Sequence, residues 1–351
     1  MTPFKTSPRR ILIIRLSAIG DVVMASPLIR ILRRSYPGAR LAWLVEPAAA
    51  GLLRHNPELD EVIVWPRKEW RALWQAHRYR AWWGALRAFR RDLRRRRFDL
   101  VLDLQGLLKS AVWARLSGAP ERIGLGSREG GALLMTRVVG RPHGDARIGS
   151  EYRRFADALG LAGGDFAMNI ALADEDEDYA RAFCAETGPY AVFCPFTTRP
   201  QKHWFEERWP QLAEAVHARL GLTPVLLGGP ADEAAAARLL QANPRLRSQV
   251  GRTSLTRSAA LIKHAACLAG VDTGLTHMGI AFGVPTVALF GSTRPYLDTG
   301  RADARVLYHR LDCSPCRRHP TCGGAYTCMR LIEVAEVAEA LEQMLGQAAR
   351  A

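Results

Sequence analysis

The sequence predicts an α/β protein made of two doubly wound, Rossmann-like domains. Short apolar runs alternate with helix-length amphipathic runs along nearly the whole chain, the pattern of parallel sheets covered on both faces. The 351 residues are long for one domain and ample for two. Two segments, one ending at Asp21 and one opening at Asp272, each place reactive groups where an apolar strand turns into a helix. In an open parallel sheet that turn lines the ligand crevice, and the helix N-terminus there attracts anions.

In the first half, strands are predicted at 11–16, 41–45, 62–65, 100–104 and 122–124, with helices at 22–35, 80–97 and 108–116. The acidic run Asp174 to Asp178 suits the first turn of a helix, so the domain boundary is placed just before it, giving domains 1–172 and 173–351. In the second half, strands are predicted at 191–194, 224–227, 267–271 and 286–290. Helices are predicted at 206–220, 232–241, 255–263 and 276–282, with a closing amphipathic helix at 332–345.

Composition is that of an ordinary globular protein, with 48% hydrophobic and 24% charged residues. No apolar run reaches the roughly 18–20 residues needed to span a bilayer, and the N-terminal segment lacks the apolar core of a secretory signal. A cytoplasmic location is the expectation. The net charge of +15 is lopsided: residues 1–170 hold 30 Lys/Arg against 15 Asp/Glu, while residues 171–351 hold 19 of each. The densest stretch, Arg67 to Arg97, has 12 basic and 2 acidic residues. A polyanionic partner for the first domain alone follows.

Asp21 follows Gly20 in a small-residue loop after the first strand, where it serves either as a helix cap or as a base at the crevice. The segment Asp272-Thr-Gly-Leu-Thr-His277 offers backbone N–H groups, a hydroxyl and an imidazole to a phosphate. Its Asp-Thr-Gly triplet stands once and in an α/β context, which argues against an aspartic protease. Thr197-Thr-Arg-Pro-Gln-Lys-His-Trp204 puts hydroxyls and Lys202 after another strand, suited to a diphosphate or to a solvated loop. Asp232 and Glu233 after Gly228-Gly-Pro are placed for a ribose hydroxyl or simply for a turn. Asp103-Leu-Gln-Gly106 ends a strand beside Asp21. Between Arg67 and Arg97, Trp70, Trp74, Tyr79, Trp82, Trp83 and Phe89 interleave the basic residues. Such a stretch reads as a membrane-surface helix, a nucleic-acid binder, or an arginine-coated helix over core aromatics. Cys313, Cys316, Cys322 and Cys328 are either a tetrahedral structural zinc site or reduced structural thiols. Cys184, Cys194 and Cys267 look like core residues.

Four of these motifs, in order and spanning the chain, resemble the bacterial lipopolysaccharide heptosyltransferases of glycosyltransferase family 9. They are Ser17-Ala-Ile-Gly-Asp-Val22, Asp103-Leu-Gln-Gly-Leu-Leu-Lys-Ser110, Thr197 to Trp204 and Val271 to His277. The Thr-Thr to Lys-His-Trp segment is most similar to heptosyltransferase I, while the four clustered cysteines are more similar to type II and unassigned members. The resemblance implies a GT-B fold with the two domains facing a central cleft and the last helix packing back on the first domain. It implies an inverting transfer of L-glycero-D-manno-heptose from ADP-heptose to the Kdo and inner-core region of lipopolysaccharide, with Kdo-lipid A as acceptor. Asp21 then matches the catalytic base, and Thr197, Thr198, Lys202, Glu233, Asp272, Thr273, Gly274 and His277 match the donor site. Ser17, Gly20 and Gln105, with Arg67 and Lys68, are the expected acceptor contacts. A basic residue near Asp21 should help keep it ionised. No cofactor is required, because Lys202 and a helix dipole can take the place of a divalent metal. The expected location is peripheral, on the cytoplasmic face of the inner membrane. A type II or III enzyme, or another family 9 transferase, is the alternative. A nucleic-acid-binding protein would leave the strand-end residues of the neutral half unexplained.

Overall fold

Ile11 to Ile14 are wholly buried, and their side chains alternate between two apolar clusters. Ile11 and Ile13 pack under Leu28, Leu32 and Phe155, whereas Leu12 and Ile14 pack under Trp70, Leu93 and Trp113. A strand covered on both faces has no polar side to alternate with, which is why it reads as a continuous apolar run.

The computed structural model describes residues 7–141, 144–161, 166–316 and 318–348; residues 1–6 of the N-terminal segment discussed above lie outside them. In chain order the first half runs β1 (Arg10–Ile14), α1 (Ile19–Ala25), α2 (Pro27–Ser35), β2 (Arg40–Val45), α3 (Pro47–Arg54), β3 (Glu61–Val64), α4 (Arg67–Gln75), α5 (Tyr79–Arg95), β4 (Leu100–Asp103), α6 (Leu108–Ser117), β5 (Glu121–Leu125), β6 (Arg137–Val139) and α7 (Ser150–Ala158). The second half runs α8 (Asp174–Thr187), β7 (Tyr190–Cys194), α9 (Arg208–Leu220), β8 (Thr223–Leu226), α10 (Glu233–Ala242), β9 (Arg247–Ser248), α11 (Leu255–Lys263), β10 (Cys267–Val271), α12 (Gly274–Phe282), β11 (Thr286–Phe290), β12 (Ala304–Tyr308), α13 (Thr327–Arg330) and α14 (Val334–Ala348).

Each half forms a six-stranded sheet, ordered β3-β2-β1-β4-β5-β6 and β12-β11-β10-β7-β8-β9, and every strand pair is parallel. The winding reverses between β1 and β4 in the first sheet and between β7 and β10 in the second. These are the switch points at which an open sheet leaves a crevice. Two compact units result, 1–144 with 149–171, and 145–148 with 172–351. The short excursion 145–148 belongs to the second unit because Arg147 bridges to Asp298 and the Ile148 N–H donates to the Asp298 carbonyl at 2.8 Å.

Several boundaries differ from the sequence reading, each for a local reason. The run 22–35 is two helices, because Pro27 has no N–H to continue α1 and instead opens α2. The basic segment is a helical hairpin, with α4 preceding α5. Strands β6, β9 and β12 lie at or next to sheet edges and are short or half exposed, so they lack the fully apolar run that marks a central strand. Within the second unit, α14 puts Val337, Ala338, Leu341 and Met344 into the core with Trp209, Leu212 and Val216 of α9.

Candidate active site

In the first unit the site grows from β1. Arg15 ends that strand as a charged residue in an otherwise apolar run, and its side chain is buried. Its Nη1 donates to the Leu104 carbonyl after β4 at 2.8 Å, and its Nη2 meets Asp21 Oδ2 at 2.5 Å. Burial works against the guanidinium charge, yet Tyr152, Asp21 and Glu151 outweigh it and hold Arg15 firmly protonated. The Ala18 N–H also donates to Asp21 Oδ2, at 3.2 Å. Among the described residues, Oδ1 of Asp21 takes no hydrogen bond. One oxygen of this carboxylate is therefore anchored and the other is open, on a side chain one-third exposed.

The β4 turn locks onto the β1 turn. Gln105 is buried, and its amide oxygen accepts from the Leu16 N–H at 3.0 Å and the Ser17 N–H at 3.2 Å. Gly106 has a φ of +64°, and a Cβ there would sit 2.2 Å from the Leu125 carbonyl oxygen, so only glycine lets the turn run this close. Asp103 is fully buried and accepts from the Gln105 and Gly106 N–H groups and from Ser110 Oγ. Burial pushes its pKa up to about 6, against those hydrogen bonds and Arg15. Lys109 Nζ links Ser17 Oγ, at 3.4 Å, with Glu46 after β2, at 3.2 Å, and Arg67 closes on Glu46 at 3.4 Å. Gly20 is buried within α1, and Lys68 is exposed on α4.

In the second unit, Lys202 after β7 and Asp272 after β10 meet at 2.7 Å, at the switch point of that sheet. Both oxygens of this carboxylate are occupied. Oδ2 takes Lys202 and the Thr293 hydroxyl at 2.7 Å, and Oδ1 takes His277 Nε2 at 3.3 Å. His277 is in turn held through Nδ1 by the Tyr296 hydroxyl at 2.7 Å. Burial would raise the Asp272 pKa, but His277 and Lys202 drive it well below the usual carboxylate range. Asp272 thus positions a lysine and an imidazole, and neither of its oxygens is without a partner. Thr273 stands at the N-cap of α12 with no side-chain cap bond and its carbonyl accepts from the His277 N–H, so the first-turn N–H groups of Gly274, Leu275 and Thr276 have no intrahelical acceptor.

Thr197 and Thr198 follow β7, and the Thr197 carbonyl pairs with His203 Nε2 at 2.8 Å. Glu233 opens α10 after β8, the strand beside β7, and its carboxylate lies over Gly251, which has a φ of +72° and no Cβ to obstruct it. The predicted donor residues therefore occupy the carboxyl ends of three adjacent strands, β10, β7 and β8. The sequence reading did not assign Arg15, Glu46, Lys109, Thr293 or Tyr296. Arg15 had a signal, a charge inside an apolar strand, and Lys109 lay in a quoted motif, but the other three carried none. The thiols of Cys316 and Cys328 lie close to the Gly291–Ser292 backbone. Among the described residues, no three His, Cys, Asp or Glu side chains gather as a metal-ligand set.

Comparison with known proteins matches this geometry to one family. The profile of glycosyltransferase family 9 (heptosyltransferase) fits residues 86–326, more than half of the chain. Lipopolysaccharide heptosyltransferase 1 of Pseudomonas aeruginosa is 33% identical over 314 residues, covering 88% of this chain and 86% of that protein. Among solved structures, the family 9 glycosyl transferase of Veillonella parvula superposes with a TM-score of 0.79 at 23% identity, over 97% of each chain. E. coli heptosyltransferase WaaC with ADP-2-deoxy-2-fluoro heptose superposes with a TM-score of 0.70 at 26% identity, over 95% of this chain and 99% of that one. The fold is GT-B, and the chain is a glycosyltransferase that belongs to glycosyltransferase family 9, the heptosyltransferases.

Proposed function

We propose that this enzyme transfers a heptose from ADP-heptose to the Kdo and inner-core region of lipopolysaccharide, in the manner of heptosyltransferase I, with inversion at the anomeric carbon. The observation that carries the assignment of roles is the contrast between the two strand-end carboxylates. Asp21 has one anchored and one open oxygen, whereas both oxygens of Asp272 are engaged. Asp21 Oδ1 is the base. It takes the proton of the acceptor hydroxyl while that oxygen forms a bond to the anomeric carbon from the face opposite the diphosphate. The bond from that carbon to the diphosphate oxygen breaks, and ADP leaves with the electron pair. Lys202 and the N-terminus of α12 supply the positive charge that stabilises the departing diphosphate, in the role a divalent cation fills elsewhere. Thr197, Thr198 and His277 flank the phosphates, and Glu233 holds the ribose.

The type I assignment is supported by the Thr197 to Trp204 motif and by the relative of 33% identity, itself a heptosyltransferase 1. Ser17, Lys109 and the Arg67–Glu46 pair suit an acceptor rich in carboxylate and phosphate. Such an acceptor is anchored in a membrane, so the enzyme works at the cytoplasmic face. Among the described residues, no helix is long and apolar enough to cross a membrane. The test is a donor and acceptor screen with purified enzyme and mass detection. Addition of one heptose to Kdo-lipid A from ADP-heptose is expected. Activity only on an already heptosylated core would move the enzyme to type II or III, and activity only with another sugar nucleotide would overturn the donor.

A further inference from the structure

Helix α5 presents two unlike faces. Trp82, Leu86, Phe89 and Leu93 recur at helical spacing and pack on the cluster around Trp65, Trp70 and Trp113. Tyr79, Trp83, Arg87, Arg90, Arg91 and Arg94 share the other face at the same spacing, and all six are exposed. Arg87, Arg90, Arg91, Arg94, Arg95 and Arg97 line a shallow groove of about 550 Å³. Among the described residues, none of these six guanidiniums has an ion-pair partner, although Arg96 between them rests on Glu61 and Asp92. A stripe of unneutralised charge repels itself and weakens the fold that carries it. It fits a surface of opposite sign.

The end of the hairpin identifies that surface. Trp74 and Trp83 are each 51% exposed and Tyr79 is 43% exposed. Their rings form an edge-to-face chain with Trp82, from Tyr79 to Trp74 at 5.0 Å, Trp74 to Trp82 at 5.2 Å and Trp82 to Trp83 at 5.0 Å. Rings locked edge to face make a poor platform for stacking bases. Indole and phenol groups, apolar at one end and polar at the other, sit well at the headgroup level of a bilayer.

We propose that the α4–α5 hairpin docks on an anionic lipid bilayer. Helix α5 lies in the plane of the membrane, with its arginine stripe on the lipid phosphates and Trp74, Tyr79 and Trp83 at the headgroup boundary. This reading is independent of the sugar transferred and of the acceptor hydroxyl used.

The test is co-sedimentation of the full chain with vesicles of phosphatidylglycerol and phosphatidylethanolamine, and with vesicles of phosphatidylcholine, at low and physiological salt. Binding to the anionic vesicles alone, weakened by salt, is expected. The combined variant Arg87→Gln, Arg90→Gln, Arg91→Gln, Arg94→Gln should lower partitioning by about 10- to 100-fold. The corresponding four lysine substitutions should keep it within ~3-fold, because a point charge serves a headgroup phosphate nearly as well. Trp74→Ala with Trp83→Ala should weaken the binding that survives at physiological salt. Should the combined Gln variant prove unstable, Arg90→Gln and Arg91→Gln singly carry the test, each lowering partitioning ~2- to 5-fold. Equal binding to neutral vesicles, or full binding by the Gln variants, would overturn the proposal. So would tighter binding to a single-stranded RNA oligonucleotide than to anionic vesicles, which would assign the stripe to nucleic acid.

Discussion

Arg15 and Asp21 are joined at 2.5 Å, the guanidinium side chain 6% exposed and the carboxylate 33%. The same guanidinium is tied to the Leu104 carbonyl after β4. The orientation of Asp21 is therefore set by the strand that precedes it and by the neighbouring strand across the switch point. A carboxylate held through Oδ2 presents Oδ1 in a defined direction, which a positioned base needs.

Asp21→Asn is expected to lower turnover by ~10²–10⁴-fold, the loss that follows removal of a general base. The amide can still occupy the space beside Arg15, and donor binding in the second unit should not change. Steady-state kinetics with calorimetry on ADP provides the check. Turnover near that of the wild type would assign the base elsewhere.

Lys202→Ala removes the cation that meets Asp272 at 2.7 Å and that the proposed mechanism places on the diphosphate. A charge-assisted hydrogen bond contributes about 1.5–3 kcal/mol, so ADP affinity should fall by roughly 10- to 100-fold. Calorimetric titration of ADP measures this directly. Unchanged affinity together with unchanged turnover would remove the donor diphosphate from β7 and β10.

Asp103 makes a pH prediction whose sign follows from its raised pKa. With a folded pKa near 6 against 3.8, the folded state holds the proton more tightly than the unfolded chain. The resulting stability is complete below pH 4 and is lost as pH rises to about 6, a change of about 3 kcal/mol. Asp103→Asn keeps the acceptor for the Gln105 and Gly106 N–H groups and can donate to Ser110 Oγ, so it should fold. Denaturant unfolding of both proteins from pH 4 to pH 7 should show the wild type losing stability relative to the variant over that range. Parallel curves would exclude Asp103 as a titrating group.

Leu341→Ala tests the packing of the closing helix within the second unit. Leu341 is fully buried with α9 residues in the second unit's core, so truncation should cost ~2–5 kcal/mol. The loss should appear in the transition that ADP stabilises. A cost below ~0.5 kcal/mol, the range of surface substitutions, would contradict the observed packing.

The sequence by itself determined the alternation of strands and helices and the placing of Asp21, Lys202 and Asp272 at strand ends. The reason is local. A strand buried on both faces must be a short apolar run, and the turn that follows it must be small and polar. The central strands β1, β4, β7 and β10 were legible for that reason, and the edge strands β6, β9 and β12 were not. Only the tertiary structure decided which residues act on one another. Leu16 meets Gln105 from 89 positions away, and Arg15 reaches Leu104 across the same separation, because β1 and β4 are neighbours in the sheet although β2 and β3 lie between them in the chain. Thr293 and Tyr296 join Asp272 and His277 for a like reason, since β11 lies beside β10. Strand order, which no local pattern encodes, left Asp21 with an open oxygen and Asp272 with none.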